Sequence, residues 1–149
     1  MKEKTKKLKL AVLLSGGGTN LQAMIDQIEA GKLHAEISVV VSNNPEAYGL
    51  VRAQKHEIPT AVVDYGNYGK KLLPEIHESN LPEEFGEVSK RQRIYADLPP
   101  EEIRDRLARF VLAEQEIIGL LKPFNPDLIC LAGFMRLISP YFIGHYNKK

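Results

Sequence analysis

Much of what marks a secreted, membrane-spanning or nucleic-acid-binding protein is missing from this sequence. Its single cysteine, Cys130, excludes an internal disulfide and any zinc site built from several cysteines, and it suits a reducing compartment. No apolar run approaches the ~20 residues that a bilayer span needs. The start carries Lys2, Lys4, Lys6, Lys7 and Lys9, but the apolar stretch that follows, Leu10–Leu14, is too short for a signal-peptide core. It reads as a solvated tail. The net charge is only +1, from 20 Lys plus Arg against 19 Asp plus Glu, so nothing general favours nucleic acid or an acidic membrane as partner. What remains is ordinary: 44% hydrophobic and 26% charged residues in 149, the mix of one globular domain. The expectation is a single cytoplasmic domain, residues 1–149, with no metal site.

Apolar pattern and punctuation alternate as in β-α units. Leu8–Leu14 (LKLAVLL) reads as a buried strand ended by Ser15-Gly16-Gly17-Gly18. Leu21, Met24, Ile25 and Ile28 then recur at helical spacing, and Gly31 closes that helix. Glu36–Val41 is a second strand rich in β-branched residues. Ser42-Asn43-Asn44-Pro45 is turn chemistry, with Pro45 near the start of a helix from about Glu46 to His56. Thr60–Val63 is a short third strand. A long helix follows Pro99-Pro100, its stripe formed by Ile103, Leu107, Phe110, Val111, Ile117, Ile118 and Leu121. Asp127–Ala132 is the fourth strand, and Pro140 opens a segment to Tyr146.

Four such strands predict an open, mostly parallel, Rossmann-like α/β sheet with helices on both faces. Right-handed crossovers place strand one beside strand four, with strands two and three on the other side. The ligand crevice then lies at the carboxyl ends of strands one and four, bordered by Ser15–Asn20 and Gly133–Ile138. Tyr65–Pro99 breaks the rhythm, with turn signals, no clear period, and Lys70, Lys71, Lys90, Arg91 and Arg93. It reads as a solvated, partly mobile insertion, or as a basic flap over the crevice.

The turn Ser15–Asn20 joins a strand to a helix amino terminus, where amide N–H groups lack acceptors and the helix dipole is positive. Glycines let that backbone approach a ligand, and Thr19 or Asn20 can cap the helix or donate to a phosphate oxygen. It is not a Walker loop, because no Gly-Lys-Ser/Thr follows. Nor does it meet the dinucleotide fingerprint, whose third glycine position is Leu21 here. A structural turn and a phosphate site both remain open. The second loop, Gly133-Phe134-Met135-Arg136-Leu137-Ile138, is apolar where a surface loop is usually polar. That is either core packing or a wall for a flat heterocycle.

Ser-Gly-Gly-Gly-Thr-Asn-Leu-Gln at Ser15–Gln22, followed by Leu-Ala-Gly-Phe-Met-Arg-Leu-Ile-Ser-Pro at Leu131–Pro140, resembles the phosphoribosylglycinamide formyltransferase family. Val41-Ser42-Asn43 and Pro126-Asp127 match as well, and the resemblance covers Leu8 to about Asp64 and Glu101–Tyr146. It implies the formyltransferase fold and transfer of a formyl group from 10-formyltetrahydrofolate, a co-substrate, to the amine of glycinamide ribonucleotide in purine biosynthesis. It further implies that Gly18, Thr19 and Asn20 hold the ribonucleotide phosphate, and that Met135, Arg136, Leu137 and Ile138 line the folate pocket, with Gly133 and Ile143 at its wall. The family's basic residue ahead of the last long helix falls ambiguously, at Phe110 or near Arg109.

The family's catalytic Asn-x-His-Pro strand and later aspartate are not found in these residues, and Gly144-His145-Tyr146 does not match them. The expectation is therefore an amino-terminal, substrate-binding portion, its sheet truncated after strand four and inert alone, with no catalytic residue of its own. His145 reads as a surface residue. Strand four would present an apolar edge prone to homodimerisation or aggregation. The competing reading is a non-catalytic phosphate- or nucleotide-binding module.

Overall fold

The computed structural model describes residues 5–146, so Lys2 and Lys4 of the basic start lie outside the described residues. Two compact units are formed. One runs up to Val63 and includes Leu120–Met135; the other is Asp64–Gly119 with the chain from Arg136 onward.

The first unit holds the sheet. Strands β1 (Leu8–Leu14), β2 (Ala35–Ser42), β3 (Thr60–Val62) and β4 (Leu128–Leu131) are all parallel, in the order β3-β2-β1-β4. This is the expected order, with the winding reversed between β1 and β4. Helices α1 (Thr19–Glu29) and α2 (Tyr48–Lys55) fill the crossovers. Val12 and Leu14 of β1 and Val40 of β2 form one core with Leu21 and Ile25 of α1 and Leu50 and Ala53 of α2. The alternate residues Ala11 and Leu13 are equally buried, so both faces of β1 are covered. That double burial is why β1 reads as an unbroken apolar run. Each such Val or Leu contributes about 1.5–3 kcal/mol.

Two details differ from expectation at this end. Helix α1 is capped by Gly18 in the left-handed conformation, and no side chain caps it. Thr19 and Asn20 lie within the first turn and are exposed, so neither is the cap. Helix α2 starts later than Pro45 implied, because Asn44 Oδ1 accepts the N–H of Glu46 at 3.0 Å and holds that stretch as a turn.

In the second unit, Tyr65–Pro99, expected from its sequence to be a solvated, partly mobile insertion or a basic flap, is largely exposed but carries local structure. It contains a 3₁₀ turn at Tyr65–Tyr68, another at Glu78–Asn80, and a helix, α3 (Phe85–Arg91). Phe85 and Val88 of α3 pack with Leu107, Ala108 and Val111 of the long helix α4 (Pro100–Leu121). The helix was hidden because it is too short to show a period, and two apolar residues anchor it. Arg109 also fastens this region, donating to Asp105 Oδ2 at 3.0 Å and to the carbonyls of Tyr68 and Leu73 at 2.9 and 2.5 Å. That hydrogen bond from Arg109 holds the Asp105 carboxyl below its ordinary pKa. The unit ends in helix α5 (Pro140–Tyr146).

Candidate functional site

At the carboxyl end of β1 the chain turns through Ser15-Gly16-Gly17-Gly18 into α1. Every carbonyl of that turn is occupied. Ser15 O accepts from Asn44 Nδ2 at 3.4 Å, Gly16 O from Gly49 N at 3.0 Å, Gly17 O from Arg52 Nε at 2.7 Å, and Gly18 O from Gln22 N at 2.9 Å. The amides of Gly16, Gly17, Gly18, Thr19 and Asn20, by contrast, find no acceptor among the described residues. A turn with its acceptors held back and its donors free, on a helix amino terminus, has the electrostatics of an anion seat.

The approach of α2 makes this possible. A Cβ on Gly18 would lie 2.5 Å from Gly49 Cα, and Gly18 has φ +75°, so only glycine fits. Gly49 is tight for a different reason, since its own Cβ would meet the end of the Leu14 side chain at 2.6 Å and force it to shift.

The exit of β4 meets the same turn. Ser15 N–H donates to Gly133 O at 3.2 Å, and Met135 N–H donates to Ser15 Oγ at 2.8 Å. Ser15 Oγ in turn donates to Asn43 Oδ1 at 2.5 Å, which brings in the exit of β2. Gly133 turns the strand outward with φ +72°. Two segments far apart in sequence therefore share one rim, and one hydroxyl joins them. Beyond it, Met135 is 81% exposed and Leu137 61%, so these side chains are not core packing.

In the second unit, Arg136 stacks over the Tyr65 ring at 4.6 Å. Tyr65, Tyr68, Tyr95, Arg106 and Arg136 border a cavity of about 230 Å³. The Tyr65 hydroxyl is buried without a hydrogen-bond partner among the described residues, and burial pushes its pKa up. Phe110 is buried edge-on against Tyr65, with ring centroids 5.7 Å apart. Arg109 is saturated by its partners in the chain, so neither of the two ambiguous positions offers a free cation.

The loop's exit is fixed by a buried carboxylate. Glu114 is fully buried on the apolar stripe of α4, where its Oε2 accepts from Ser139 N–H at 2.9 Å and its Oε1 from the Ser139 hydroxyl. Desolvation raises its pKa to about 7, although both bonds from Ser139 favour the charged form. Ile138 is half-buried beside Ser139, and Ile143 on α5 is 53% exposed.

Sequence reasoning missed three contributors: Arg52, Glu114 and the hydroxyl of Ser15. Glu114 had a legible signal, an acid at stripe spacing between Val111 and Ile118. Arg52 had none, since it lies on the polar side of a short helix. The histidines assemble nothing: His34 bonds to the Thr5 carbonyl at 2.7 Å, His56 to Glu29 at 2.9 Å, and His145 is exposed. No group of three or more metal-ligating side chains gathers among the described residues.

A parallel α/β sheet with its winding reversed between β1 and β4, whose loops meet over an open set of amides, defines a protein of the Rossmann-like α/β class. Residues 8–149 match the sequence profile of the formyl transferase family, and the chain belongs to that family. It is 52% identical over 141 residues to the phosphoribosylglycinamide formyltransferase of Dictyostelium discoideum, covering 94% of this chain and 53% of that protein. Against the Haemophilus influenzae enzyme of the same name, identity is 32%, over 95% of this chain and 48% of the other. The solved phosphoribosylglycinamide formyltransferase of Coxiella burnetii superposes with a TM-score of 0.62 at 31% identity, covering 95% of this chain and 48% of that one. The chain thus spans about half the length of these relatives, and 10% of the human trifunctional purine biosynthetic protein adenosine-3, to which it is 31% identical.

Proposed function

We propose that this chain is the substrate-binding part of an enzyme that moves the formyl group of 10-formyltetrahydrofolate onto the amine of glycinamide ribonucleotide, in purine biosynthesis. The observation that carries the reading is the shared rim, where an open anion seat and an apolar loop are joined through Ser15. A ribonucleotide brings a phosphate, and folate brings a flat heterocycle. Two such ligands must lie side by side for a group to pass between them.

In this reading Gly18, Thr19 and Asn20 take the phosphate through backbone N–H groups and the Thr19 and Asn20 side chains. Met135, Arg136, Leu137 and Ile138 line the folate pocket. The folate fits the residues present, because exposed Met135 and Leu137 give it apolar cover and Arg136 stands over an aromatic ring. Bound there, it supplies the formyl carbon. Attack by the amine builds a negatively charged tetrahedral intermediate, which needs an oxyanion donor and a proton shuttle. Among the described residues no histidine hydrogen-bonds Ser15, and His34 and His56 are engaged with Thr5 and Glu29. The role of these residues is therefore binding and alignment. A cytosolic setting and self-association through the outer edge of β4, where Leu128 and Leu131 are 50% and 56% exposed, belong to the same proposal.

Calorimetry on the 149-residue chain tests it, with glycinamide ribonucleotide, 10-formyltetrahydrofolate, NAD and ATP as ligands. Binding of the first two, without formyl transfer above background, is the expected result. Tight binding of NAD or ATP with none of the ribonucleotide would make this a nucleotide-binding module instead. Turnover by the chain itself would overturn its assignment to binding alone.

A further inference from the structure

The seat's donors face outward only while its carbonyls are held back, and one of the four holding groups is charged. Arg52, on α2, donates Nε–H to Gly17 O at 2.7 Å. Its guanidinium also lies 4.9 Å from the Tyr48 ring centroid, and its Nη1 reaches Gln22 Oε1 on α1 at 3.4 Å. Tyr48, in turn, accepts from Lys55 Nζ at 3.2 Å. The side chain is thereby clamped between an aromatic face and the first turns of α1, its charge beside the glycines. No carboxylate among the described residues pairs with it.

We propose that Arg52 is a positioning residue of the phosphate loop: it draws the Gly17 carbonyl away from the anion and places an uncompensated cation beside the turn. This rests on the reading of Ser15–Asn20 as a phosphate seat and deepens it. A peptide unit points its carbonyl and its N–H in opposite directions, so fixing Gly17 O toward α2 turns the Gly18 N–H away from α2. Without the donor, the glycine peptide can rotate and present its carbonyl to the anion. Asn44, Gly49 N and Gln22 N hold the other three carbonyls without net charge, so Arg52 alone adds both a hydrogen bond and an electrostatic attraction.

The experiment compares the wild-type chain with Arg52→Met and Arg52→Lys, titrated with inorganic phosphate, ribose 5-phosphate and glycinamide ribonucleotide. Arg52→Met should weaken the two phosphate esters about tenfold, the scale of one charge-assisted hydrogen bond. Arg52→Lys, whose ammonium retains the charge and can reach a carbonyl, should restore most of that affinity. Folate affinity, titrated in parallel with 10-formyltetrahydrofolate, should stay unchanged in both variants, while melting falls by a few degrees in Arg52→Met as the cost of its own lost contacts. A merely structural role would lower folate affinity as well. Equal phosphate-ester affinity in Arg52→Met and wild type, or parallel loss of folate binding, would overturn the role of Arg52 alone. Failure of the wild-type chain to bind any of the three probes would overturn the phosphate-seat reading, and the role of Arg52 with it.

Discussion

The loops that follow β1 and β4 meet at one rim but are built on opposite plans. Ser15–Gly18 turns all its carbonyls inward and presents bare backbone, with almost no side chain in the way. Gly133–Ile138 turns outward at Gly133 and presents side chains, Met135 and Leu137 above all. Under the proposed function, the first surface would recognise charge through fixed dipoles and the second would recognise shape through apolar area. Substitutions should therefore act on them differently. At Gly18 the backbone surface tolerates no side chain, whereas an apolar wall can be trimmed in small steps.

Gly18→Ala gives the largest effect. The added methyl would meet Gly49 Cα at 2.5 Å in a residue at φ +75°. Left-handed strain of about 1 kcal/mol and overpacking of about 1–3 kcal/mol add up, so melting should fall by several degrees. Affinity for ribose 5-phosphate should drop roughly a hundredfold, since the peptide that offers the amides must move. A calorimetric titration at a temperature where the variant is folded separates the two losses. Wild-type affinity in a folded Gly18→Ala chain would break the contrast between the loops.

Glu114 tests the other loop through Ser139, just past its end. Its folded pKa, about 7, lies above the 4.5 of an ordinary glutamate. The folded state thus holds a proton that the unfolded state releases first, so stability falls as pH rises from about 4.5 through about 7. The fall is on the order of 3 kcal/mol. Denaturant melts across that window should show the loss in wild type and a flatter profile in Glu114→Gln. A profile that rises with pH in this window would mean that the Ser139 bonds outweigh desolvation.

The same division explains what the sequence disclosed. Strand β1 spans the residues expected of it, and the β3-β2-β1-β4 order follows from crossover handedness, because doubly buried parallel strands announce themselves as apolar runs. The meeting of the two loops was legible for that reason. The details that make the rim work were not. Ser15 is a plain turn residue until Met135 N–H arrives from 120 positions away. Arg52 lies on a polar helix face, and Gly18 replaces the expected side-chain cap. Helix α3 lacks the length for a period, so Phe85 and Val88 looked like insertion residues. Local pattern reports burial; it does not report which distant backbone group will claim a hydroxyl.

Ser15→Ala sharpens the comparison at its joint. The methyl removes the acceptor for Met135 N–H and the donor to Asn43, leaving two partly exposed groups that water can reach. Stability should fall by about 1–2 kcal/mol. Both ligands should weaken together, by about five- to tenfold, because the hydroxyl belongs to both loops. Loss of one affinity with the other untouched would show that the loops act independently.

Met135→Ala is the mildest test and the most selective. The side chain is 81% exposed, so the folded chain without ligand has little to lose, and the melting temperature should not change. A folate that covers this side chain would bury apolar area at about 25 cal/mol per Å², and trimming it to a methyl removes roughly 1 kcal/mol. Folate affinity should fall about fivefold while ribose 5-phosphate binds as before. Unchanged folate affinity would leave the exposed apolar loop without its assigned ligand, whereas a loss confined to phosphate would reverse the assignment of the two plans. The distinction needs only two titrations, because one loop offers backbone donors and the other apolar side chains.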